Sequence, residues 1–137
     1  MEKIVENQYA SLFKASPQML WITWKPETED MDDHEFERFF LEIAQLIQTY
    51  QFKEWLGDTR FFRKIVTLKQ QTWVAEILNP LLTQAGLRKM AIILPQELIA
   101  NLSVQQSVEE MEIVQTVRQF STRYFDKIED AKIWLTT

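Results

Sequence analysis

Met90-Ala91-Ile92-Ile93-Leu94-Pro95 decides the architecture. Five consecutive apolar residues closed by a proline are too short for a helix, and they lack the alternation of a strand with one wet face. This is the pattern of a parallel strand buried on both sides. Such a strand is entered and left through helices, and both are visible around it. Upstream, Trp73, Val74, Ile77, Leu78, Leu81 and Leu82 recur at helical spacing behind Thr67 and Gln70, which have the spacing of a capping box, and Gly86 with Leu87 supplies a left-handed C-cap. The helix spans about residues 68–85, and Pro80 inside it removes a backbone donor, so a kink or break is expected near Ile77. Downstream, Ser103 and Gln106 open a further helix to about Val114.

Working outward, Asp32 and Glu35 cap an amphipathic helix of about residues 33–50 that carries Phe36, Phe39, Phe40, Ile43, Ile47 and Tyr50. Residues 52–56 read as a strand stopping at Gly57-Asp58. The first 25 residues hold two aromatic-rich runs, 4–14 and 19–24, separated by Ala15-Ser16-Pro17-Gln18, the composition of a turn. Phe120 to Phe125 reads as a last strand, and Asp126 with Glu129 as the cap of a terminal helix. The expected order is β-β-α-β-α-β-α-β-α: an α/β fold with a single mixed sheet of four to five strands, four helices and an antiparallel N-terminal hairpin. One domain, residues 1–137, accounts for the whole length.

Composition narrows the chemistry. Fifteen Lys and Arg against twenty Asp and Glu give a net charge of −5, the wrong sign for a phosphate-backbone binder, so nucleic acid is not an expected partner. Cysteine is absent and His34 is the one histidine, which removes disulfides, thiolate catalysis and multi-histidine metal sites. Glu27, Glu29, Asp30, Asp32, Asp33, Glu35 and Glu37 crowd the start of the first helix. Counted from Asp30, however, a calcium loop fails at its sixth position, Glu35, and its twelfth, Leu41. Carboxylates are favoured there by the helix dipole alone. No metal, cofactor or catalytic constellation is expected. With no apolar stretch of signal or transmembrane length, a cytoplasmic protein without stable membrane insertion is expected, and the glycosylation triplet Asn101-Leu102-Ser103 carries no meaning there.

Several strings are similar to those of stand-alone bacterial STAS-type proteins, relatives of the anti-sigma-factor antagonists. They are Trp24-Lys25, Trp55-Leu56-Gly57-Asp58, Ala85-Gly86-Leu87-Arg88-Lys89, Ala91-Ile92-Ile93-Leu94-Pro95, Leu102-Ser103-Val104, and Arg123-Tyr124-Phe125-Asp126 followed by Glu129 to Leu135. The fold so implied also resembles the lipid-binding CRAL-TRIO domain. The STAS resemblance implies a non-catalytic regulatory or interaction module. In the antagonist branch a loop Asp-Ser-Ser-Gly or Asp-Thr-Ser-Gly is phosphorylated on its hydroxyl residue. Asp58 and Thr59 match by position, but Arg60 and Phe61 replace Ser-Gly, so phosphorylation of Thr59 is not expected.

The residues around one loop support two readings of a binding site. The loop from Asp58 to Val66 lies beyond a strand's carboxyl end, where open sheets place ligands, and Arg60, Arg63 and Lys64 there suit an anion. Phe61, Phe62 and Trp73 beside it suit an apolar pocket or a self-association surface. Because a close-packed core of this size leaves little room for a cavity, a protein-binding module that self-associates as a homodimer is expected ahead of a carrier of apolar small molecules.

Overall fold

The structure, a computed structural model, describes residues 1–99 and 120–137. It is α/β with one mixed sheet of six strands in sequential order: β1 (Glu2–Glu6), β2 (Ala10–Ser16), β3 (Met19–Trp24), β4 (Glu54–Asp58), β5 (Lys89–Ile93) and β6 (Ser121–Phe125). The first three pair antiparallel, and β3 to β6 pair parallel. The sheet is thus larger than the four to five strands expected, and the cause is local. The side chain of Asn7 accepts hydrogen bonds from the backbone N–H groups of Tyr9 (2.8 Å) and Ala10 (3.0 Å), and Asn7 N–H donates to Ala10 O at 3.1 Å. This side-chain-built turn folds the apolar run 4–14 back on itself, pairing Val5 with Leu12.

Helix α1 (Asp33–Tyr50) starts where expected. Asp32 accepts from Glu35 N–H at 2.7 Å, and Glu35 accepts from Asp32 N–H at 3.1 Å, a complete capping box. Glu35 also accepts the Tyr9 hydroxyl at 2.7 Å, which ties the helix start to the sheet and raises the tyrosine's pKa. Asp32→Ala is expected to cost about 1 kcal/mol in chemical denaturation. A loss below a few tenths of that would contradict the cap's role.

The second helix is interrupted as Pro80 requires. It runs as α2 (Leu68–Trp73), a π-helical turn (Val74–Leu78) and α3 (Asn79–Gln84), with Asn79 N–H reaching back to Val74 O. The wide turn inserts one extra residue and rotates the helix beyond it. Ile77 and Leu81, expected inward, are exposed, while Asn79 is buried beside Leu78 and Leu82. Gly86 closes the helix at φ 102° and Leu87 is buried over it, as expected.

Strand β4 begins two residues later than expected because Phe52, fully buried, belongs to the end of α1: its N–H bonds to Ile47 O. The terminal helix α4 (Ile128–Leu135) is preceded by Lys127, so Asp126 does not cap it. The helix expected over 103–114 lies outside the described residues.

Side-chain alternation on the central strands divides the core into two layers. Leu20, Ile22 and Trp24 of β3 and Trp55 of β4 face α1 and α3, whereas Leu56 of β4 and Ala91 and Ile93 of β5 face α4. Strand β5 is therefore sealed by α4 on one side. On the other, Met90 and Ile92 are only half-buried among the described residues, and an opening forms there.

Candidate functional site

That opening is a cleft of about 470 Å³ between the sheet and the helices. Its floor is the first-layer face of four parallel strands: Trp24, Trp55 and Gly57, Met90 and Ile92, and Tyr124. Phe36 and Phe40 of α1 form one wall, and Val74, Leu78, Asn79 and Leu82 form the other. Thr59, Phe62, Val66 and Gln71 close the rim. None of these described lining residues carries a charge.

Each wall has a sequence cause. Trp24 sits at the junction, stacked on Phe40 (ring centroids 5.4 Å) and edge-on to Phe39 (5.5 Å) and Phe62 (5.2 Å). Gly57 lacks a side chain where its neighbours on the strand carry large ones. A methyl built there would meet the Trp55 Nε1 at 3.5 Å and nothing nearer, so the bare Cα contributes open space to the floor. The loop segment 61–66 alternates outside any strand: Phe62, Lys64 and Val66 turn inward while Phe61, Arg63 and Ile65 are exposed.

The residues expected to form an anion site do not converge on a pocket. Asp58, nearly buried at the end of β4, is gripped by the Arg60 Nε (2.9 Å) and Nη2 (2.7 Å), and the carboxylate's hydrogen bond raises the guanidinium pKa further. Arg63 turns back to Arg60 O, and its backbone N–H is held by Thr28. Lys64 is bonded to Met31 O and Asp33. The Thr59 hydroxyl donates to Ile93 O at 2.8 Å. These groups are spent on fastening the loop to β5, the 3-10 turn Pro26–Asp30 and α1.

Of the apolar candidates, Phe62 lines the cleft, as does Thr59. Phe61 is half-exposed, with the Arg63 guanidinium 5.8 Å from its ring, and Trp73 packs edge-on against Phe36 at 6.2 Å without lining the space. Sequence reasoning missed Asn79, Gly57 and Tyr124. Asn79 shows its signal only with the π turn in hand; Gly57 is readable as a glycine inside a strand. Among the described residues no three acidic or histidine side chains gather as a metal site, and no helix is long and apolar enough to cross a membrane. His34 is exposed in the first turn of α1. The chain matches no family model, no curated protein and no solved structure.

Proposed function

We propose that the chain is a non-catalytic binding module on a STAS-like frame, whose site is the aromatic cleft and whose ligand is an apolar small molecule. One observation carries this reading. A volume of about 470 Å³ lies within the range of small-molecule pockets, and its described lining residues are mostly aromatic and aliphatic. The cleft supports a carrier of apolar small molecules over the interaction module, and the bare Gly57 position gives its floor room. A Thr59 phospho-switch has no part in this reading, since the hydroxyl is engaged with β5 and Arg60-Phe61 stand where the antagonist loop has Ser-Gly.

The test is titration with Nile red, a neutral apolar dye. Saturable uptake with a Kd on the order of micromolar is expected. Gly57→Val, which suits a strand and projects into the floor, is expected to weaken binding about tenfold without lowering Tm. Absence of saturable uptake, or indifference to Gly57→Val, would refute the cleft as the site.

A second reading, self-association, is favoured by Ile65 and Leu68, which stand 85% and 78% exposed beside the cleft rim. Native mass spectrometry separates the two. A monomer carrying an apolar adduct supports the first, and an empty dimer the second.

A further inference from the structure

We infer that the cleft's ligand is a neutral amphiphile, with a hydroxyl or carbonyl group seated on the side-chain amide of Asn79. The inference rests on the cleft being the site and adds what its contents must carry.

Asn79 is 8% exposed, and among the described residues its side-chain amide has no hydrogen bond; its backbone carbonyl accepts from the Thr83 hydroxyl. An amide so enclosed and without a protein partner presents two donors and one acceptor to whatever occupies the cleft. This one lines the cleft, and the π turn is what brings it there in place of Ile77. The Trp55 Nε1–H beneath Gly57 also lacks an acceptor, but it is sealed away from the cleft space and takes no part. The other polar groups at the rim are already used: the Thr59 hydroxyl on Ile93 O and the Gln71 amide on Val66 O. Among the described lining residues the Asn79 amide and, across the floor on β6, the Tyr124 hydroxyl are thus left over. A ligand oxygen that accepts, or both donates and accepts, satisfies the amide.

Neutrality follows from the aromatic and aliphatic side chains that make up the described walls. With no cationic side chain among the described lining residues, a carboxylate would lose its hydration and gain no counter-charge. Lys64 comes near, its ammonium 5.7 Å from the Phe36 ring, but is already bonded to Asp33 and Met31 O. A hydroxyl or carbonyl at the end of an apolar body carries no such penalty.

The experiment compares decanol, decanoate and decane as competitors for Nile red at pH 8, on the wild-type chain and on Asn79→Leu, each calibrated with its own Nile red affinity. Leucine approximates the shape of asparagine and leaves no polar atom unpaired. In the wild type, decanol is expected to displace the dye at least tenfold more effectively than decanoate. Asn79→Leu is expected to weaken decanol about fivefold or more while leaving decane unchanged or stronger. Equal competition by decanol and decanoate overturns the inference, as does an Asn79→Leu effect that is absent or equal for all three. If Nile red itself does not bind the wild type, the cleft reading has failed, and this inference with it; that result is distinct from failure of the inference alone.

Discussion

Trp24→Ala is expected to cost the fold about 3–5 kcal/mol, read by urea denaturation followed in far-UV circular dichroism. Trp24 is 3% exposed and ends the strand that joins the antiparallel and parallel halves of the sheet. Its ring touches Phe39 and Phe40 of α1 and Phe62 of the loop, so one truncation removes the contact shared by three elements. The void cannot be refilled by a small shift, because it opens into the existing cleft. Trp21, three residues earlier and on the opposite face, provides the contrast. It is half-buried with the Lys132 ammonium 4.8 Å from its ring, and its truncation is expected to cost about 1–2 kcal/mol. A Trp24→Ala loss below about 1 kcal/mol, or one no greater than that of Trp21→Ala, would overturn this account of the first layer.

That contrast also marks where sequence periodicity works. Alternation along β3 and β5 assigns side chains to faces correctly, since both faces of a central strand are set by the pleat alone. The Asp32–Glu35 box, the Gly86 stop and the break enforced by Pro80 are local chemistry, and each appears in the structure where its residues stand. What escapes depends on side chains acting at a distance from their own pattern. Asn7 turns a run that looks like one strand into two, because its carbonyl oxygen collects two N–H groups that no hydrophobic pattern records. The extra residue in the π turn shifts the helical face, so a reading at a constant 3.6 residues per turn puts Ile77 inside and overlooks Asn79. In the loop, Phe61 and Phe62 are equivalent by composition. Only the period-two alternation of 61–66 turns the second into the cleft and leaves the first in water. The cationic residues of that loop look like an anion site by composition, but folding pairs Arg60 with Asp58 at the strand end and Lys64 with Asp33 at a distant helix start, and turns Arg63 back to Arg60 O.

For that grouping the decisive variant is Arg60→Ala. It is expected to destabilise by about 1–2 kcal/mol: breaking a fully buried pair costs about 3–5 kcal/mol, but the Arg60 side chain is 41% exposed, so water partly replaces it. The carboxylate of Asp58, 6% exposed with Arg60 in place, would keep the Arg60 backbone N–H, 3.2 Å away, and lose both side-chain bonds. If the penalty arises from that stranded charge, neutralising it should return most of the stability. Asp58→Asn added to Arg60→Ala is therefore expected to recover more than half of the loss. Arg60→Lys should fall between, keeping the charge but losing the two-pronged grip. Equal stability of the single and double variants would show that the arginine acts through packing of its stem and not through the ion pair. Nile red uptake by these variants is expected to stay within about twofold of wild type, because neither Asp58 nor Arg60 lines the cleft. A large drop in uptake at unchanged fold would return the loop's charges to the binding site.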